Sequence, residues 1–204
     1  MSANKTPIIG VILAGGLSSR MGQDKANLPI AGTTLLEFMH DKLQRAGLSE
    51  IIICRNVPGY LNDLIPELGP LGALYTLSQH YPGRQALIIP VDMPLFSVAS
   101  LEKFRTVAVH PALKSDTDGA TLPANPGRQI FPLYLPFTPR VNAALNQRAK
   151  QPDDLSIAAF LRATDARRLD AFEQSIDDKE FLNANTPRQW QAVLAKVDAQ
   201  ASDS

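Results

Sequence analysis

Residues 8–13 read Ile-Ile-Gly-Val-Ile-Leu, an apolar run that stops abruptly at Gly15-Gly16. A short run without polar alternation is the pattern of a strand buried on both faces. Such strands belong to parallel sheets covered by helices on both sides. Two further runs repeat it, Ile51 to Cys54 and Gln85 to Val91. Helical patterns separate them. Thr34 and Glu37 have the spacing of a capping box, so a helix is predicted from there to about Ala46, with Gly47 as its left-handed stop. Leu71 to His80 and Val98 to Val109 read as two more helices. This alternation predicts an α/β fold with a largely parallel sheet.

The second half is less regular. Gly119 to Leu122 and Gln129 to Leu135 read as strands around a Pro126-Gly127 turn, and Phe181-Leu182 as a short strand. Pro139 to Lys150 and Ser156 to Arg162 read as helices. Thr186 and Gln189 have the spacing of a second capping box, with Pro187 at the first helical position and a closing helix to about Val197. Asn56 to Pro70 reads as a loop without a helix.

The chain has 204 residues, 45% apolar, enough for one domain with a sizeable core. Its formal net charge is zero, which argues against a general nucleic-acid surface or a polybasic membrane contact. Cys54 is the single cysteine; it cannot form an internal disulfide and points to a reducing compartment. No apolar run approaches the ~20 residues that span a bilayer, and residues 8–13 lead into a charged loop rather than a cleavage site. A cytoplasmic protein is expected.

The chemistry centres on the loop after the first strand. Its glycines let backbone N–H groups approach a phosphate, and Arg20 and Lys25 add positive charge beyond the carboxyl end of a strand, where α/β ligands bind. The loop is neither G-x-x-x-x-G-K-[ST] nor G-x-G-x-x-G. Its glycines alone are better explained by a plain strand-to-helix turn. His40, His80 and His110 lack metal-like spacing, Ser18 and Ser19 lack a His–Asp partner, and Cys54 reads as a small apolar residue. Trp190, Leu194 and Val197 have helical core spacing.

From Leu13 to Lys25 the sequence is Leu-Ala-Gly-Gly-Leu-Ser-Ser-Arg-Met-Gly-Gln-Asp-Lys. This resembles, residue for residue, the signature L-A-G-G-x-S-x-R-M-G-x-D-K of the MobA-like nucleotidyltransferases, relatives of the sugar-nucleotide pyrophosphorylases. Three later stretches match in order: Asp63-Leu-Ile-Pro66 with Gly69-Pro-Leu-Gly72, then Val91-Asp-Met-Pro94, then Asn183-Ala-Asn-Thr-Pro187. Gly127 to Leu133 resembles the acceptor-side strand more loosely.

The resemblance implies a single Rossmann-like three-layer domain with a mostly parallel mixed sheet, of the nucleotide-diphospho-sugar transferase type. It would span residues 7–198, between a loose 1–6 and a frayed 199–204. It implies nucleotide contacts from Leu13, Ala14, Gly15, Gly16, Arg20, Lys25, Asp63 and Asp92. Acceptor contacts would come from Gly69, Pro70, Leu71 and Asn183; Arg128, beside a turn, reads as a surface arginine sooner than as an acceptor-phosphate contact. The implied metal is Mg²⁺, or Mn²⁺ in its place, on Asp92 and, more weakly, Asn185. One departure stands out: Cys54 occupies a position where the family often has asparagine, with Asn56 two residues on.

No general base is evident in this set, whose leading members are Arg20, Lys25 and Asp92. An acceptor that is already an anionic phosphate needs none; it needs charge neutralisation and in-line alignment. The Gly15-Gly16 form of the signature implies the guanylyl branch, because cytidylyl-transferring relatives usually have alanine at Gly15. The partners implied are GTP and molybdenum-loaded molybdopterin, with molybdoenzyme maturation proteins as further partners. The alternatives are a cytidylyl or other nucleotidyl transfer with the same chemistry, and a cofactor-binding accessory protein without turnover. The intact Arg20, Lys25 and Asp92 set argues against the second.

Overall fold

The computed structural model describes residues 7–15, 24–111, 121–151 and 154–202. Gly16, Ser18, Ser19 and Arg20 lie outside the described residues, as do the expected loose start at 1–6 and the first half of the strand expected from Gly119.

The three apolar runs form the parallel centre of a six-stranded sheet: β1 (Ile9–Leu13), β4 (Ile51–Cys54) and β5 (Gln85–Pro90). The sheet continues through β7 (Leu133–Pro136), β6 (Ala124–Asn125) and β8 (Arg167–Arg168), in the order β4-β1-β5-β7-β6-β8. Only β7 runs against its neighbours, so the sheet is mixed and mostly parallel. In register, Leu13 lies opposite Cys54 on one side and opposite Pro90 on the other. Three carboxyl ends therefore stop in one row.

The absence of alternation in β1 has the expected cause. Ile9, Val11 and Leu13 pack into one apolar layer with helices α2 (Pro70–His80), α4 (Pro139–Lys150) and α5 (Ile157–Ala163). Ile12 packs into the other with α1 (Leu35–Arg45), α3 (Val98–Ala108) and α7 (Pro187–Ser202). Both faces of the sheet are thereby covered, giving three layers. Among the described residues, no helix is long and apolar enough to cross a membrane.

The first capping box forms in full. Thr34 Oγ1 accepts from the Glu37 N–H at 3.2 Å, and Glu37 Oε2 accepts from the Thr34 N–H at 3.0 Å. The hydroxyl of Thr33 also donates to Glu37, and this set of donors holds the carboxyl down to about 2. Gly47 follows α1 at φ 79°, as the left-handed stop requires.

Several elements differ from expectation. A hairpin of β2 (Pro29–Ile30) and β3 (Thr33–Thr34) precedes α1. Its strands are too short to show alternation, and its turn puts Ala31 as well as Gly32 at positive φ. The strand expected from Gln129 begins only at Leu133, because residues 125–129 are tied into a turn. Phe181 ends a 3-10 turn, Asp178–Phe181, and is not in a strand. The two-residue strands β6 and β8 carry no sequence signal, and α7 extends past Val197 to Ser202.

The 125–129 turn is held by side chains. Asn125 Nδ2 donates to the Gln129 carbonyl at 2.6 Å, and the Arg128 N–H donates to the buried Glu173 Oε2 at 2.6 Å. Gly127, at φ 26°, lies so close that a Cβ would sit 1.9 Å from Glu173 Oε2. Gly127→Ala should therefore cost about 2 kcal/mol or more of stability, read as a lowered urea midpoint. An unchanged midpoint would mean that the turn is not held as described.

Candidate active site

The row formed by Leu13, Cys54 and Pro90 is the floor of the site. Two backbone bonds carry it past the strand ends: Ala14 N–H to the Cys54 carbonyl at 2.9 Å, and Val91 N–H to the Leu13 carbonyl at 3.0 Å. They fix where the loop leaves β1 and where the chain turns into Asp92. Gly15 is exposed, and among the described residues a Cβ there would find the Cys54 carbonyl oxygen, at 3.8 Å. Its φ lies outside the left-handed region. Among the described residues nothing that packs on Gly15 demands glycine there.

Three motifs far apart in sequence meet above this floor. Lys25 opens a 3-10 turn, Lys25–Asn27, capped by Asp24, whose carboxylate accepts from the Ala26 N–H at 3.1 Å. The Lys25 side chain reaches the segment just past β5. Its Nζ donates to Asp92 Oδ2 at 2.8 Å and to Asn185 Oδ1 at 2.6 Å. Lys25 and Asp92 side chains are 18% and 17% exposed, so this pair is shielded beyond a surface ion pair.

The backbone secures Asn185 as well. The Ala184 N–H donates to the Asp92 carbonyl at 3.0 Å, joining the two motifs directly. The second capping box forms in altered shape. Thr186 Oγ1 accepts from the Gln189 N–H, but Gln189 Oε1 reaches past the Thr186 N–H to accept from Asn185 N–H at 3.0 Å. The helix cap thus pins the residue that meets Lys25. Asn183 is exposed beside it.

A missed residue braces the segment after Asp92. Lys42 on α1, half-buried, donates to the Pro94 carbonyl and lies 4.9 Å from the Phe38 ring centre. The Ser97 N–H donates to Glu180 Oε2 at 2.7 Å. Burial pulls the Lys42 ammonium down to about 8, against the opposing pull of the Glu180 carboxylate. No sequence motif singles out Lys42, whose partners come from distant segments.

The nucleotide-side candidates divide. Asp63 is bound to Asn56 twice: its N–H donates to Asn56 Oδ1 at 2.7 Å, and Asn56 Nδ2 donates to Asp63 Oδ2 at 2.8 Å. Asn56 thus orients Asp63. Cys54 is buried, and burial, helped by the Asp63 charge, pushes its thiol up to about 12; it is an apolar floor residue, not a nucleophile. Residues 56–69 contain no helix, as expected. Arg55, a second missed residue, pairs with Asp24 and lies 5.4 Å from the Tyr60 ring centre. It ties the end of the signature loop to β4, across 31 residues of sequence.

At the next loop, Gly69 enters α2 at φ 57° with Pro70 as the first helical residue. Leu71 is 1% exposed and packed in the core. As an acceptor contact it therefore has only its backbone to offer, not its side chain. Arg128 projects from the held turn, 82% exposed.

Asp92 and Asn185 present hard oxygens of the kind Mg²⁺ takes, in the small protein share that Mg²⁺ uses when phosphates and waters complete its shell. Among the described residues, no group of three or more His, Cys, Asp and Glu could hold a metal. A separate cavity of about 580 Å³ lies by the amino ends of the strands, lined by Ile8, Leu48, Gln85, Arg105 and Tyr134 among others. None of the motif residues lines it.

Residues 10–169 match the family described as the MobA-like NTP transferase domain. A molybdenum cofactor guanylyltransferase from Xanthomonas euvesicatoria pv. vesicatoria is 35% identical over 192 residues, covering 92% of this chain and 95% of that protein. The fold is shared with the molybdopterin-guanine dinucleotide biosynthesis protein A of Archaeoglobus fulgidus, at a TM-score of 0.68 and 16% identity, covering 97% of this chain and all of that one. It is shared also with the 2-C-methyl-D-erythritol 4-phosphate cytidylyltransferase of Thermus thermophilus, at a TM-score of 0.60 and 16% identity, over 95% of this chain and all of that one.

The brace gives a pH prediction. The folded pKa of Lys42 is below its unfolded value, so between about 8 and 10.5 the unfolded chain holds more protons. The stability of the wild type relative to Lys42→Met should therefore rise with pH through that window, by at most about 1.4 kcal/mol per pH unit. Urea unfolding of both proteins at several pH values measures it. A flat or falling difference would show that Lys42 is not buried as charge.

Proposed function

The chain belongs to the MobA-like NTP transferase family, and from that premise we propose that it transfers GMP from GTP to the terminal phosphate of molybdenum-loaded molybdopterin. Pyrophosphate is released, and the cofactor's guanine dinucleotide form is the product. One observation carries the assignment of the site: Lys25 Nζ joins Asp92 Oδ2 and Asn185 Oδ1, so three family motifs meet at one point above the carboxyl edge.

In this reading an oxygen of the acceptor phosphate attacks the α-phosphorus of GTP. A new P–O bond forms, the bond between the α-phosphorus and its bridging oxygen to the β-phosphate breaks, and that oxygen leaves with pyrophosphate. No proton has to be removed, which agrees with the lack, among the described motif residues, of a histidine or free carboxylate poised as base. The loop after Leu13 and Ala14 holds the phosphates through its backbone, with Gly15, Gly16 and Arg20 as further contacts. Lys25 neutralises charge on the triphosphate. Asp63, oriented by Asn56, holds the nucleoside. Gly69, Pro70, the Leu71 backbone and Asn183 position the acceptor, at a helix start whose N–H groups suit an anion.

Asp92 and Asn185 would hold Mg²⁺, or Mn²⁺ in its place, which supplies charge neutralisation at the reacting phosphates. The choice of guanine rests on Gly15 and on the activity for which the 35% identical relative is named. Among the described residues packing leaves room for a Cβ at Gly15, in keeping with a glycine that serves the ligand. The cytoplasm is the compartment we assign to this reaction, in keeping with the unpaired Cys54.

A pyrophosphate-release assay with molybdenum-loaded molybdopterin and each of the four ribonucleoside triphosphates tests the reading. Release is expected with GTP. Lys25→Ala and Asp92→Ala should each lower it about 10²-fold or more while the fold survives. Release with CTP and not GTP would refute the guanylyl assignment, and full activity of either variant would remove that residue from the mechanism.

A further inference from the structure

Lys25 makes a contact that its role at the triphosphate does not account for. The two oxygens expected to hold a divalent cation, Asp92 Oδ2 and Asn185 Oδ1, both accept from its ammonium, at 2.8 and 2.6 Å. An ammonium so placed saturates the charge of Asp92. A divalent cation drawn to the same oxygens would lie within a few ångströms of a positive charge, in a partly shielded site where repulsion is strong.

The surroundings allow the side chain to move while its backbone stays. Asp24 caps the turn that begins at Lys25 and is itself tied to Arg55. The Leu28 N–H donates to the Lys25 carbonyl at 3.1 Å. Among the described residues the side chain's hydrogen bonds are those of its ammonium to Asp92 and Asn185, and the flexible four-carbon stem lets that ammonium reach other anions from the same backbone position. The backbones of Asp92 and Asn185 are held as well, the Asp92 carbonyl by the Ala184 N–H and the Asn185 N–H by Gln189 Oε1, and their oxygens sit on side chains much shorter than that of lysine.

Resting on the reading above, we propose that Lys25 and the divalent cation are alternative occupants of one oxygen pair. The ammonium holds Asp92 and Asn185 together until a nucleotide arrives with its cation. It then passes to the triphosphate, and the cation takes the oxygens it leaves. Before the exchange the cation meets a neutralised carboxylate; afterwards it meets a full one. Cation and nucleotide therefore bind cooperatively, with Lys25 as the coupling element.

The exchange predicts opposite signs for two properties of one substitution. In Lys25→Met, turnover falls, but Mn²⁺ alone binds more tightly, because its competitor is gone. Titration of the full chain with Mn²⁺ in the absence of nucleotide, followed by electron paramagnetic resonance of the free ion, should show about a tenfold gain in affinity over the wild type. Asp92→Asn should remove that binding in either background. In the unaltered protein, acetylation of Lys25 by an N-hydroxysuccinimide ester, read by mass spectrometry, should increase when Mn²⁺ is added. This measurement needs no variant to fold.

Equal or weaker Mn²⁺ affinity in Lys25→Met, or Lys25 labelling indifferent to Mn²⁺, overturns the exchange while leaving the metal reading in place. Mn²⁺ binding that survives Asp92→Asn unchanged overturns both.

Discussion

Strand β1 has no free edge. β4 takes its hydrogen bonds on one side and β5 on the other, in a register that places Leu13 between Cys54 and Pro90. Both its faces are covered by helices, so neither tilt nor slip is available without exposing apolar side chains or leaving backbone groups unpaired. The segments that leave Leu13 and Pro90 must therefore emerge side by side. The 3-10 turn at Lys25 returns the chain toward that point, and the Ala184 N–H on the Asp92 carbonyl brings in the last motif. The site is a consequence of where three strands stop.

On this rigid floor the polar groups hold one another. Asn56 holds Asp63, Gln189 holds the backbone of Asn185, Arg55 holds Asp24, and Lys42 holds Pro94. Each supporting residue comes from a different element than the one it supports, or from a different turn of it. Geometry for phosphoryl chemistry must be set to fractions of an ångström, and supports of this kind set it before a ligand arrives. Lys25 joins two of these groups, its backbone capped by Asp24 and its ammonium placed on both Asp92 and Asn185.

The sequence disclosed what depends on local pattern. The buried runs at 9–13, 51–54 and 85–90, the capping box at Thr34 and Glu37, the proline entries to α2, α4 and α7, and the helix-free 56–69 stretch all rest on neighbours in the chain. The motif residues Lys25, Asp63, Asp92 and Asn185 were legible because their order matches a family signature. Elements of two residues were not, since β2, β3, β6 and β8 are too short for any period to show. Nor were Arg55 and Lys42, whose partners Asp24 and Pro94 are 31 and 52 residues away and are brought near only by the sheet. Leu71 shows the reverse limit: a residue inside a family motif has its side chain in the core.

The central claim is that Lys25 and Asp92 act as one unit in nucleotidyl transfer. A double-mutant cycle on kcat/KM for pyrophosphate release, with Lys25→Ala, Asp92→Ala and the pair combined, tests it most directly. The account predicts that the combined variant loses no more than the worse of the two single variants. Losses that multiply would show that the two residues work independently, and would contradict it.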